Sequence, residues 1–87
     1  MSTLYEISLK KEIMREAYAG LMADFLAYFR KNNIDVRKDV SHPLVLLFRK
    51  VQESYLRIMG IEQMAEMKEI EGQFKMISSF MKELEAA

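Results

Sequence analysis

The residues with the chemistry to act on a substrate are few. His42 is the only histidine and cysteine is absent, so acid–base, nucleophilic or metal chemistry must run through this one imidazole or through carboxylates alone. His42 stands directly before Pro43, and proline is favoured in the first turn of a helix, where its missing N–H would have no partner anyway. Either Ser41 or His42 therefore reads as the N-cap of a helix, and the imidazole as a cap or turn residue rather than a catalytic one. No serine or aspartate pattern around it suggests a triad. Glu62, Glu66 and Glu69 share one side of a helical segment and could gather oxygen ligands for a hard cation. The Glu-x-x-His partner motif of di-iron bundles is missing, however, and acids at this spacing are common on solvated helix faces. Gly20, Gly60 and Gly72 are isolated from one another, which leaves no glycine-rich phosphate loop. These residues imply no cofactor, no metal and no small-molecule substrate, and they give an enzyme no constellation to work with.

Binding is better represented than catalysis. Arg30, Lys31, Arg37 and Lys38 cluster around a short connector, and Arg49, Lys50 and Arg57 follow on the next helix, which makes a candidate nucleic-acid edge. Overall charge is zero, with 13 basic and 13 acidic residues, whereas dedicated nucleic-acid modules carry a domain-wide excess of cations. There are ten bases against seven acids through Gly60 and three against six beyond it, so RNA contact along this edge is expected to be weak. Tyr28 and Phe29, which could stack on bases, fall on an apolar stripe and read as core. Eight methionines in 87 residues suit either irregular core gaps or an adaptable binding surface, because the thioether side chain is flexible and polarizable. Core filling is the simpler reading.

Three helices must position these groups. The first spans about residues 4–32, after a capping-box pattern of Thr3 and Glu6. Met14, Ala17, Tyr18, Leu21, Met22, Phe25, Tyr28 and Phe29 recur at three- and four-residue steps along one broad face. Gly20 marks either a close helix crossing or a tolerated cost of about 1 kcal/mol. Asn32 and Asn33 end the helix, since asparagine accepts the left-handed backbone that helix ends use. The second helix covers about 43–59, with Leu44, Leu47, Phe48, Val51, Tyr55, Ile58 and Met59 as its stripe. The third covers about 61–85, where Met64, Met67, Ile70, Phe74, Ile77, Met81 and Leu84 make a near-heptad seam. Gly60 is either a turn or a hinge within one long rod. A rod would expose that seam and demand a second chain.

The fold expected is thus an all-α three-helix bundle in a single helical domain over residues 1–87, with no internal repeat and no low-complexity stretch. With 51% hydrophobic and 30% charged residues the composition is globular. A domain this small buries only about 60–65% of its unfolded surface, and without disulfides it depends on packing or on a partner. No run approaches the roughly 20 apolar residues of a membrane span, and the N-terminus does not read as a secretory signal. An intracellular protein is expected.

The order of features from Lys11 to Ile58 resembles the exosome-cofactor and neuroguidin-like family of nuclear RNA-processing proteins. The resemblance rests on Tyr18-Ala19, an apolar helix running to Tyr28, a short polar connector, His42-Pro43, and then Arg49 and Tyr55. It covers about residues 8–60. It implies a nuclear helical adaptor that pairs with a protein of the RNA-processing machinery, and a cytoplasmic location is the expectation without it. The long basic C-terminal tail of that family has no counterpart in Leu84-Glu85-Ala86-Ala87, so a protein-binding role is implied more strongly than direct RNA contact. The helical pattern is also similar to phage small terminase subunits, which would make the chain a nucleic-acid-binding oligomer subunit. The leading expectation is a small adaptor that binds a protein partner, or a second copy of itself, through the seam Met64, Met67, Ile70, Phe74, Ile77, Met81 and Leu84.

Overall fold

The computed structural model describes residues 3–87, with the backbone alone for Thr3. Among the described residues three helices form and no strand: α1 (Thr3–Lys31), α2 (Pro43–Ile58) and α3 (Met64–Ala86). α1 has 29 residues, roughly 44 Å at 1.5 Å per residue, and sets the long dimension of a molecule measuring 49 × 25 × 16 Å. It packs along both other helices, whereas α2 and α3 touch each other sparingly. The capping box expected of Thr3 and Glu6 rests on a Thr3 side chain that lies outside the described residues.

The stripe expected on α1 is its inner face. Met14, Tyr18, Leu21, Phe25 and Phe29 are buried, joined by Ile7 one heptad earlier. Phe25, Phe29 and Phe48 form an aromatic triangle with ring centroids 5.7–5.9 Å apart in tilted and edge-on arrangements, the geometry that aromatic quadrupoles favour. Farther along α1, Tyr18 packs on Phe74 of α3 at 5.7 Å, and its hydroxyl donates to the Ile70 carbonyl at 2.8 Å. Ser54, the one buried polar residue on α2, donates to the Gln73 side chain at 2.9 Å. This small polar cluster ties the three helices at mid-height, and no buried side-chain polar atom among the described residues lacks a partner.

Both connectors are built by local hydrogen bonds. α1 ends with Asn33 at φ 57°, while the Ile34 N–H reaches back to the Phe29 carbonyl at 2.9 Å and Asn33 to that of Arg30 at 3.4 Å. This is a Schellman ending, with Ile34 half-buried against the core. His42 caps α2: its Nδ1 accepts from the Leu44 N–H at 3.1 Å, which decides between the two cap candidates. Gly60 is a turn and not a hinge in a rod. α2 stops at Ile58, Ile61 and Glu62 are non-helical, and Gln63 in extended conformation is the N-cap of α3. The third helix therefore begins at Met64 and not at 61, and Ile61 is instead a buried plug between the helices. Gly20 has open space around it, so no helix crosses there. Met59, placed on the second stripe by its spacing, is exposed just past the end of α2.

Candidate partner-binding faces

The seam of α3 faces the chain's own core. Met67, Ile70 and Met81 are buried, and Met64, Phe74, Ile77 and Leu84 are half-buried against them. The chain itself covers most of this seam once α3 folds back on α1, clamped by Tyr18 and by an ion pair from Lys10 to Glu71 at 2.7 Å. What α3 turns outward is a different pair of large apolar residues, Met76 and Phe80.

The seven cations of the candidate nucleic-acid edge are all exposed, but several are engaged locally. Arg30 and Lys31 close the last turn of α1, where cations complement the helix dipole. Arg37 and Lys38 sit in a self-bonded turn in which Asp35 and Asp39 accept the backbone N–H groups. Arg49 donates to the Val36 carbonyl at 3.2 Å and so pins that turn to α2. Arg57, at the opposite end of α2, lies 3.8 Å from Glu66 on α3. Lys50 stands beside the space between α2 and α3. The cations at the first turn form one group and Arg57 does not join it.

Glu62, Glu66 and Glu69 are exposed at the start of α3, and no group of three or more His, Asp or Glu side chains among the described residues could hold a metal ion. His42 spends its acceptor nitrogen on the helix cap. Among the described residues no helix is long and apolar enough to cross a membrane.

A run of exposed large apolar residues lies outside every stripe that the helical spacing marks as core. Leu4, Tyr5, Leu9 and Ile13 are 77, 69, 46 and 54% exposed on the first turns of α1. Tyr5, Leu9 and Ile13 succeed one another at four-residue steps and so form a strip along one side of the helix, opposite the buried Ile7 and Met14. Beside Ile13, a shallow groove lined by Glu12, Arg15, Glu16, Ala19 and Tyr55 leads towards α2. Both cations that precede Arg15 are turned inward, Lys10 to Glu71 and Lys11 to the Met59 carbonyl at 2.9 Å. The four-residue spacing of Tyr5, Leu9 and Ile13 is visible in the sequence, but the stripe that begins at Met14 already accounts for α1 as an ordinary amphipathic helix and hides it.

Comparison with curated proteins returns no match, and neither does comparison with solved structures. A family model does match, over residues 3–84: the bacterial epsilon antitoxin. It corrects the resemblance to exosome cofactors and neuroguidin, and with it the nuclear, RNA-processing role. His42-Pro43 and the tyrosines that carried that resemblance are explained by capping and core packing, which any helical bundle can reuse. What holds of the expectation from sequence is its coarser part, a small helical protein whose work is to bind another protein. A match spanning nearly the whole chain, on a chain that folds as three helices, leads to one conclusion: this chain belongs to the bacterial epsilon antitoxin family, whose members act by binding and inhibiting a toxin and are not enzymes.

Proposed function

We propose that this chain neutralises its toxin by laying the outer face of α1, from Tyr5 to Ile13, against the toxin surface. The observation that carries this reading is that α1 is apolar on two opposite sides. One side is consumed by the core of the bundle, and the other, with Tyr5, Leu9 and Ile13 about half to two-thirds exposed, has nothing over it in the isolated chain. Exposed apolar patches of this kind mark interaction sites. Glu12 and Glu16 beside the strip would be met by cations on the toxin, and the groove that runs from Ile13 past Tyr55 would take a toxin side chain.

The test is to measure binding of the purified chain to its cognate toxin by calorimetry, before and after the double substitution Leu9→Asp, Ile13→Asp. Because both positions are exposed, helicity and melting temperature are expected to stay near wild type while affinity falls at least a hundredfold and protection of cells from the toxin is lost. Unchanged affinity with the fold intact would overturn the assignment of this face.

A further inference from the structure

We infer that the hollow at the turn between α1 and α2, flanked by Arg30 and Arg37, is a docking site for a short acidic segment of a partner protein, anchored by one apolar side chain. The hollow is shallow and opens where the end of α1 meets the turn, lined by Leu26, Phe29, Ile34 and Val36 together with the two arginines. Leu26 is 43% exposed, Ile34 and Val36 are half-buried, and both arginines are exposed. Leu26 lies about 20 Å along α1 from Ile13, at 1.5 Å per residue, so this site is separate from the strip assigned to the toxin and does not rest on that assignment.

The charges around the hollow identify the occupant. Among the described residues neither guanidinium is paired with a carboxylate, the ion pairs lying elsewhere, Lys10 with Glu71 and Arg57 with Glu66. The acids of the turn itself are committed to backbone: Asp35 accepts the Arg37 N–H at 2.8 Å, and Asp39 accepts the Asp35 N–H at 2.7 Å. They brace the turn without pairing the arginines. Lys38, exposed in the same turn, and Arg49, held against the Val36 carbonyl at 3.2 Å, add to the positive field. Carboxylates on a partner would meet the arginines in the forked geometry that guanidinium groups favour, while an apolar side chain between them covers Leu26 and Val36. The site is also formed in advance. Asn33 at φ 57°, the Ile34 N–H on the Phe29 carbonyl and the Arg49 contact fix the turn, so docking has little of this chain left to order. Nucleic acid suits the hollow less well. Phe29, the one aromatic in its lining, is 2% exposed and offers no ring for a base to stack on, and the cations gather at one turn instead of tracking a phosphate backbone.

The experiment is a fluorescence-anisotropy titration of the full chain into a labelled peptide of alternating aspartate and glutamate with a single central leucine. The wild type is expected to bind it in the range of tens of micromolar, and at least fivefold more weakly when that leucine is replaced by serine. Arg30→Gln with Arg37→Gln is expected to weaken binding at least tenfold with helicity unchanged, since both side chains are exposed. Two controls should bind the peptide as the wild type does: Arg57→Gln with Lys68→Gln, which removes the same charge at the other end of α2 and on α3, and Leu9→Asp with Ile13→Asp on the strip assigned to the toxin. A wild type that shows no binding below a millimolar would overturn the inference, as would equal losses in the two arginine and lysine variants, indifference to the central leucine, or displacement of the peptide by an equimolar oligouridylate.

Discussion

At the scale of single residues, His42 and Tyr18 show how groups with catalytic potential are committed to structure. The Nδ1 of His42 accepts the Leu44 N–H and so satisfies one of the orphan donors at the start of α2. Replacing it with alanine removes that acceptor, and His42→Ala is expected to cost about 1 kcal/mol, read from the urea midpoint. His42→Asp should hold the wild-type value, because a carboxylate supplies both an acceptor and a charge that suits the helix N-terminus. Tyr18 is fully buried. Burial holds its phenol above the ordinary tyrosine value of 10.0, against the smaller opposing pull of the Ser54 hydroxyl and the Arg57 charge. The sign comes from linkage: above pH 10 the unfolded chain gives up this proton while the folded chain keeps it, so stability falls as pH rises towards the folded value. Tyr18→Phe should lose the bond to the Ile70 carbonyl, at about 1 kcal/mol near neutral pH. It should also flatten the alkaline end of the stability profile measured by denaturant titration between pH 9 and about pH 11.

At the scale of the element, each helix end and each helix face has its own explanation. The Schellman ending of α1 needs φ 57° at Asn33, a conformation that costs a residue with an ordinary side chain about 1–2 kcal/mol. Asn33→Ala should therefore destabilise the chain and Asn33→Gly should not, with thermal midpoints as the measure. Gly20 and Gly72 sit inside helices with nothing within 4 Å of where a Cβ would be. Gly20→Ala and Gly72→Ala are each expected to stabilise the chain by about 0.5–1 kcal/mol through better helix propensity. Since Gly20 is on α1, the helix assigned to the toxin, its alanine variant should keep wild-type toxin affinity if only the strip from Tyr5 to Ile13 is the binding face. On α2 the stripe of Leu44, Leu47, Phe48, Val51, Tyr55, Ile58 and Met59 is largely the inner face, with Phe48, Val51 and Ile58 buried and Leu44, Leu47 and Tyr55 half-buried against the core. Val45 and Ser54 are buried beside them, Ser54 through its hydrogen bond to Gln73 on α3.

At the scale of the whole molecule, a long α1 carries two shorter helices on one side and leaves the apolar strip of Tyr5, Leu9 and Ile13 exposed on the other. The aromatic triangle of Phe25, Phe29 and Phe48 anchors α2 to α1, so Phe48→Ala should cost about 3–5 kcal/mol. That is a large share of the stability available to a domain of this size, and loss of cooperative unfolding by circular dichroism would be its signature. By contrast, Leu9→Asp with Ile13→Asp should leave that unfolding intact while abolishing toxin binding. The core holds the helices together, and the outer face of α1, where toxin contact is proposed, takes no part in it.

Much of this was legible in the sequence, because helical periodicity, the Ser-His-Pro start and the Asn-Asn stop are local signals that depend only on neighbouring residues. The three helices, the inner face of α1 from Met14 to Phe29, and a cap at Ser41 or His42 could all be read that way. The direction in which an apolar seam faces could not. Met67, Ile70 and Met81 have the spacing of an interface whether their partner is another chain or α1 of the same one, and only the turn at Met59 and Gly60 brings α3 back onto α1 to cover them. The same turn takes Ile61 out of the helix and into the core. Tyr5, Leu9 and Ile13 were equally visible as letters, but they became a candidate binding face only when the fold buried the opposite side of the helix and left them open. Spacing determines that a helix has apolar faces; which face the protein keeps for itself is decided by chain reversal and packing, and these depend on contacts between residues far apart in the chain.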